Sequence, residues 1–469
     1  MQFRSPEFKG RAVHALHDAD LQKALGKARG GFVDKRAAQA AALPEFEALR
    51  DTARDIKNHV LENLDHYLEK YEAAVSAAGG QVHWAADAEE ARAIILDICR
   101  KAEARRITKG KSMVSEEIGL NEALLEEGYE VVETDLGEYI IQLAEEPPSH
   151  IIAPAVHKTK EQISDLFEQH HHLPRKETVP ELVGEARQML REKYFTAEVG
   201  ITGGNFLVAE TGSSVIVTNE GNGDLTQTLA RVHIVTSGIE RVIPTLDDVS
   251  VFLRILARSA TGQDTETYTT YSTGPRRPGD VDGPEEYHVV LVDNGRSKML
   301  GTRFQDMLRC IRCGACMNHC PVYGSIGGHA YGWVYPGPMG SVLTPLIKGL
   351  DGTYDLPNAC TMNGRCGSVC PVRIPLPELL REVRHRQFRK DMTPTRQKQA
   401  LRLWRYVAER PRLYHFAERI GVRLLASMAN REGRLRSLPL AGGWTSARDL
   451  PAPTGRTFLE LWQAKRGDQ

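Results

Sequence analysis

Cys310-Ile-Arg-Cys313-Gly-Ala-Cys316-Met-Asn-His-Cys320-Pro321 is followed further along the chain by Cys360-Thr-Met-Asn363-Gly-Arg-Cys366-Gly-Ser-Val-Cys370-Pro371. Seven of the eight cysteines fall in these two runs. The first matches the C-x2-C-x2-C-x3-C-P pattern of two-cluster ferredoxins without a departure. Two-residue gaps let three thiolates wrap one face of an iron–sulfur cubane while the intervening backbone N–H groups point at its sulfurs. The fourth cysteine of each run, redirected by proline, turns to the other cluster. The crossed scheme puts Cys310, Cys313, Cys316 and Cys370 on a first [4Fe–4S] cluster, and Cys320, Cys360 and Cys366 on a second. Zinc also takes thiolates at C-x2-C spacing, but two interleaved runs that each end in Cys-Pro fit iron–sulfur better.

The second run departs from the pattern at Asn363, where a fourth cysteine is expected. A neutral, hard carboxamide is a poor ligand for an iron that wants soft thiolate. The second cluster is therefore either [3Fe–4S], with the corner iron absent, or a labile [4Fe–4S] completed by water or an outside side chain. His319 and His329 are conceivable outside ligands, and the spacing selects neither.

Working outward, the 469 residues predict two to four domains. The 60 Lys and Arg against 61 Asp and Glu leave a net charge of −1, which excludes the basic field of a non-specific nucleic-acid binder. No run approaches 18 apolar residues, so no membrane span is expected. The beginning, MQFRSPEFKGRAVHALHDADL, lacks an apolar signal region. Thiols crowded into one segment of a large chain point to metal in a reducing compartment rather than to a secreted disulfide framework. The expected location is cytoplasmic.

Residues from about 11 to 78 read as helix, with Leu49, Ala53, Ile56, Val60, Leu64 and Leu68 on one face. Strand-like runs follow at Val82–Ala85, Ile107, Tyr129–Glu133, His150–Ala153, Phe206–Ala209, Ser214–Thr218, Val232–Thr236 and His288–Val292. Helical patterns at Asp87–Ala104, Ser115–Glu127, Thr159–Gln169 and Leu246–Ala257 alternate with them. Such alternation implies an α/β domain with a largely parallel sheet covered on both faces. Ser272–Glu285, rich in Gly, Pro and charge, reads as a surface loop. From Arg381 onward about twenty Arg and Lys face about eight Asp and Glu. This basic helical extension fits docking on the protein's own acidic body or on a partner subunit, because nothing in it resembles a nucleic-acid-binding motif. The expected organisation is a helical arm over 1–70, an α/β domain over 71–300, a mainly helical two-cluster ferredoxin-like domain over 301–380 and the basic extension over 381–469.

Several segments together resemble the lactate utilisation protein B family, the iron–sulfur subunits of bacterial L-lactate utilisation. They are Lys109-Gly-Lys-Ser-Met-Val-Ser-Glu-Glu-Ile-Gly119, Ile201-Thr-Gly-Gly-Asn-Phe-Leu-Val-Ala-Glu-Thr-Gly212, Val232-His-Ile-Val-Thr-Ser-Gly-Ile-Glu240, the double cysteine run and Trp444-Thr-Ser-Ala-Arg-Asp-Leu-Pro-Ala-Pro453. The likeness implies that the α/β domain is a lactate-utilisation domain, similar in fold to CoA transferases and ribose-phosphate isomerases. It implies an electron carrier in the oxidation of L-lactate to pyruvate. Two sister subunits are expected beside it, one cysteine-rich and similar to heterodisulfide reductase subunits, the other with a second lactate-utilisation domain. The family pattern has eight cluster cysteines, and Asn363 departs from it. An alternative is that the α/β domain itself binds lactate, or a CoA- or phosphate-linked acid, with the clusters as its wiring.

Other signals are weaker. Thr108-Lys-Gly-Lys-Ser112 ends like a phosphate-binding P-loop, but Arg105 stands where its first glycine belongs. Lys109 and Lys111 flank a helix start where an anion could sit. Gly203-Gly204, Thr211-Gly212-Ser213-Ser214 and Gly221-Asn222-Gly223 put glycines at strand ends, where backbone N–H groups could hold a carboxylate or phosphate. Glu210 among them reads as structural, since likeness of fold to CoA transferases does not transfer a nucleophile. His170-His171-His172 diverge too much to share a metal. Cys99 reads as a buried core thiol. No acid–base pair stands out as catalytic, and no GxGxxG strand–helix unit suggests a nicotinamide or flavin site.

Overall fold

The computed structural model describes residues 2–438, 445 and 449–467. The chain divides into two compact units, Met1–Gln387 and Phe388–Gln469. In the first, the strands are β1 (Gln81–Ala85), β2 (Arg106–Lys109), β3 (Glu130–Glu133), β4 (Val199–Gly203), β5 (Phe206–Val208), β6 (Ser213–Thr218), β7 (Val232–Gly238), β8 (Val242–Ile243), β9 (Tyr268–Ser272) and β10 (Glu286–Val292). Six of them form an all-parallel sheet in the order β1-β10-β7-β4-β2-β3. Every residue of β7 is buried, as a central strand covered on both faces requires. Ile95, Ile98 and Leu124 cover one face, and Leu64, Leu68, Tyr71 and Val75 the other.

The chain leaves the sheet in opposite directions at its middle. From β2 it moves outward to β3, whereas from β4 it moves the other way to β7 and then β10. β2 and β4 are neighbours, so a crevice opens beyond their carboxyl ends, the place where open α/β sheets bind ligands. The segments between β4 and β7 and between β7 and β10 build a smaller sheet, β8-β5-β6-β9, which mixes parallel and antiparallel pairs. The sequence reading names no strand at β4, β8 or β9.

Three expectations need correction. His150–Ala153 is not a strand: the His150 ring Nδ1 accepts the N–H groups of Ile152 (3.1 Å) and Ala153 (3.3 Å) and folds the segment into a turn. Ser115–Glu127 is two helices, Met113–Ile118 and Leu120–Glu126, broken at Gly119 in the left-handed region (φ 68°). The helical stretch from 11 to 78 is likewise split into Phe8–His17, Ala19–Ala41, Phe46–Glu62 and Leu64–Ala77, with the Asp18 carboxylate capping the second by accepting the N–H of Leu21.

These N-terminal helices share a core with the cysteine segment. Phe46, Ala53 and Leu61 pack in one cluster with Phe206, Phe252 and Ile255 of the α/β body, and with Met307, Trp333, Val342 and Leu380 around the cysteines. The second unit holds the helices Thr395–Ala408, Pro411–Ser427 and Phe458–Gly467 and the strand pair Arg434–Leu435 with Leu450–Pro451. The first two of these helices bury no residue, and Trp404, Phe416 and Leu424 are exposed on them. Of the Trp444–Pro453 stretch, residues 444 and 446–448 lie outside the described residues. Among the described residues no helix is long and apolar enough to cross a membrane.

Candidate functional site

The two cysteine runs fold as copies of one turn. Arg312 and Met362, each two residues after the first cysteine of its run, have φ of 59° and 58°. Gly314 and Gly364 follow at φ 76° and 79°, where a side chain would be strained. Backbone N–H groups are directed at the sulfurs: Met362 N donates to Cys360 Sγ (3.3 Å) and Ile374 N to Cys370 Sγ (3.3 Å). The N–H of Ala315 is aimed at Cys313, those of Val322 and Tyr323 at Cys320, and that of Gly367 at Cys366.

The fold gathers the cysteines across the runs. Cys310, Cys313, Cys316 and Cys370 line one small cavity. Burial, then Cys370 and Cys310, push the Cys313 thiol up to about 12. Cys366 is likewise pushed up to about 12 by burial and then by Cys360 and Cys320. Among the described residues, only Glu146, His157 and His329 bring three metal-ligating atoms within 4.8 Å of one another. A single tetrahedral zinc would need its thiolates roughly 4 Å apart, so the more widely set sulfurs suit a cubane and not one zinc. The Glu146 carboxylate is already bridged by His157 (2.7 Å) and Lys158.

Asn363 occupies the turn position that Cys313 holds in the first run. Its Oδ1 accepts the N–H of Arg365 at 3.1 Å, as the Cys313 sulfur takes the N–H of Ala315. Cys313 is buried, however, and Asn363 is exposed. Of the two conceivable outside ligands, His319 Nδ1 bonds the carbonyl of Ala315 (2.9 Å) and His329 Nε2 that of Pro147 (2.7 Å).

The first group of cysteines is ringed by buried cations. Arg50 donates to the Cys370 carbonyl through Nε (3.1 Å) and Nη2 (2.7 Å), and Arg36 to that of Val369 (2.9 Å). Lys57 of the helix Phe46–Glu62, Arg241 of the α/β domain and Arg312 within the run itself interact with Cys310. Behind them, Arg296 grips Glu117 through two 2.8 Å bonds and reaches Glu240 at 2.7 Å, while Tyr335 donates to Glu117 at 2.5 Å. Burial works against the Glu240 carboxylate, yet Arg296, Arg241 and Arg312 outweigh it and hold its pKa at about 2. Burial pulls Lys57 down to about 7 against the attraction of Glu240.

A larger cavity of about 270 Å³ lies on the other side of Arg312 and Cys313, in the crevice between the carboxyl ends of β2 and β4. Gly110, Lys111 and Ser112 wall it from β2, Thr202, Gly203 and Gly204 from β4, and Asn222 and Gly223 from the helix after β6. Two separate sequence signals, the lysine loop and the glycine turns, thus meet in one place. Others do not join them. Lys109 is buried between Glu133 (2.8 Å) and Glu116 (3.1 Å), which outweigh burial and push its pKa up. Gly212 packs on Ala74 and Val75. Glu210 accepts the N–H of Leu246 at 3.0 Å and does not line the cavity. His171 is buried between Glu185 (2.7 Å) and Tyr139 (2.8 Å), a core contact. Cys99 is buried, its thiol pushed up to about 12 by burial. Sequence reasoning missed Arg241 and Arg312; a charged residue between two ligand cysteines was the one available sign of the latter.

Residues 68–292 match the LUD domain, 306–374 the 4Fe-4S dicluster domain and 384–467 the C-terminal domain of lactate utilisation protein B. An α/β domain joined to a cysteine segment of this kind makes the chain an iron–sulfur protein. Lactate utilization protein B of Lysinibacillus sphaericus is 44% identical over all of this chain and 99% of its own. An uncharacterized electron transport protein, YkgF, of Escherichia coli is 43% identical over 99% of this chain and 98% of its own. The chain belongs to the lactate utilisation protein B family. A crystal structure of a duf162 family protein from Deinococcus radiodurans aligns with 49% of this chain and 98% of that one, at 15% identity and a TM-score of 0.29, too distant to bear on the fold.

Proposed function

We propose that this chain is the electron-transfer subunit of an L-lactate-oxidising system, carrying single electrons between a two-electron oxidation site and an acceptor. When bound, iron–sulfur clusters supply reversible one-electron storage at a potential set by their ligands, charge and exposure. The observation that carries the reading is the difference between the two cysteine groups. Cys310, Cys313, Cys316 and Cys370 would hold the first cluster, walled by buried cations and by the crevice of the α/β domain. Cys320, Cys360 and Cys366 would hold the second, open to solvent beside Thr361, Asn363 and Arg365. The inner position suits entry of electrons from the α/β side, and the outer one suits transfer to a partner. Three thiolates and an exposed carboxamide favour [3Fe–4S] at the second position. The names of the relatives, lactate utilization and electron transport, support the role; sister subunits as partners and a reducing cytoplasmic location belong to the same reading. The single parallel sheet supports the likeness of the α/β domain to CoA transferases and ribose-phosphate isomerases.

The test is anaerobic purification, with iron and sulfide counted and EPR spectra recorded before and after dithionite, then after L-lactate with and without the sister subunits. Two clusters reduced by lactate only when the sister subunits are present is the expected result. Lactate turnover by the isolated chain would replace this reading with a catalytic one, and a colourless zinc protein would overturn it.

A further inference from the structure

We propose that the crevice between β2 and β4 is a binding site for a small carboxylate, held by Arg241 and Arg312 directly against the first cysteine group. Three independent features converge there. First, the cavity sits at the point where the sheet's connections reverse, and its volume of about 270 Å³ is near the lower end for small-molecule sites.

Second, the buried charge behind its inner wall is unbalanced. Arg241, Arg296 and Arg312, three guanidinium groups, face two carboxylates, Glu117 and Glu240, with Lys57 beside them. The wall itself also carries Asp135, Glu220 and Glu266, which form no ion pair with Arg241 or Arg312. Arg296 engages both carboxylates closely. Arg312 and Arg241 come only to 3.6 and 3.9 Å from Glu240, within ion-pair range but beyond hydrogen-bond length. Third, the Nε atoms of both arginines are buried with no hydrogen-bond partner, and both residues line the cavity. Among the described residues, Arg312 otherwise donates only to the weakly accepting Met339 Sδ (3.5 Å) and lies over the Tyr335 ring. A buried N–H left without an acceptor is costly, and a carboxylate matches the planar fork of a guanidinium. Part of the excess charge offsets the thiolates around Cys310. Those thiolates also have Arg36, Arg50 and Arg309 on their other side, so their charge does not fall on the cavity-facing pair alone.

Lys111 adds a third cation to the wall, and no hydrogen bond or ion pair within 4.0 Å engages it; burial pulls its pKa down against the attraction of Asp135. Glu220 and Glu266, also in the wall, are acceptors suited to a hydroxyl, so an acid that carries one on the neighbouring carbon matches both sides. The assignment of that acid to the lactate–pyruvate pair rests on the function proposed above.

Isothermal titration of the anaerobic full-length holoprotein with L-lactate, pyruvate and inorganic phosphate tests the site. One equivalent of lactate or pyruvate should bind, with phosphate weaker. R241Q should weaken binding at least tenfold, and A260L, which fills the cavity from the helix Leu246–Ala260, should abolish it with iron content unchanged. Should R241Q lose iron, K111M, at a residue with no charge interaction with a cysteine, should still weaken binding severalfold. Absence of carboxylate binding, preference for phosphate, or affinity indifferent to A260L and K111M would overturn the site. Lactate-driven cluster reduction with the sister subunits, without binding to this chain, would overturn the site and leave the electron-transfer role standing. Binding without such reduction would do the reverse.

Discussion

Asn363 stands on the counterpart of the left-handed turn that carries Cys313, and its side-chain oxygen accepts the N–H of Arg365, two residues on, as the Cys313 sulfur receives that of Ala315. The turn is thus already shaped for a ligand, and only the donor atom differs. N363C should convert the second site to four thiolates without disturbing the fold. Iron should rise from about seven to about eight per chain, and an oxidised [3Fe–4S] EPR signal should vanish. An unchanged iron count and spectrum would mean that another side chain already completes the site.

C310S tests the proposed crossed arrangement, in which Cys310 and Cys370 hold the same cluster. Loss of the inner cluster's signal with retention of the outer one, and of far-UV circular dichroism, is expected. Loss of both clusters together would show that the two groups assemble as one unit.

Arg50 hydrogen-bonds the Cys370 carbonyl and brings a buried positive charge to the first group. R50Q should lower the reduction potential of that cluster by on the order of tens of millivolts, because the more negative reduced state loses a compensating cation. An EPR-monitored redox titration reads the shift, and a rise would contradict this electrostatic account.

Glu240 has its pKa held at about 2, against an ordinary value of 4.5. A depressed carboxylate contributes stability that is complete above the unfolded value and is lost as pH falls through the folded one. E240Q should therefore be less stable than the parent by ~3 kcal/mol at pH 7. That gap should stay constant down to about pH 5 and close between pH 4.5 and 2. Urea unfolding of both proteins across this range is the measurement, and a gap that widens in acid would refute the assignment.

The α/β class was readable because β7 and β10 are apolar runs and Asp87–Ala104 carries a clear helical face. The turn at His150 was not, because a ring nitrogen accepting two backbone N–H groups leaves no trace in a hydropathy pattern. β8 and β9 escaped for another reason: a two-residue strand and a half-exposed Tyr268–Ser272 owe their pairing to neighbours distant in sequence. The same holds for the site. Cysteine spacing is local and legible, whereas Arg241, Arg312 and Lys57 become a charged wall only when three distant segments meet.

Arg36 and Arg50 donate to carbonyls 333 and 320 residues further along the chain. On a ribosome, their helices emerge long before Val369 and Cys370 exist, on the order of half a minute earlier at bacterial rates. Through that interval the guanidinium groups lack their carbonyl acceptors, and the apolar face around Phe46 lacks the part of its core that Met307, Trp333, Val342 and Leu380 supply. Insertion of iron and sulfide must await the release of residue 370 from the exit tunnel. Any nascent chain arrested before that point exposes the sticky underside of its own first domain, which makes early protection of the N-terminal helices a requirement of biogenesis for this architecture.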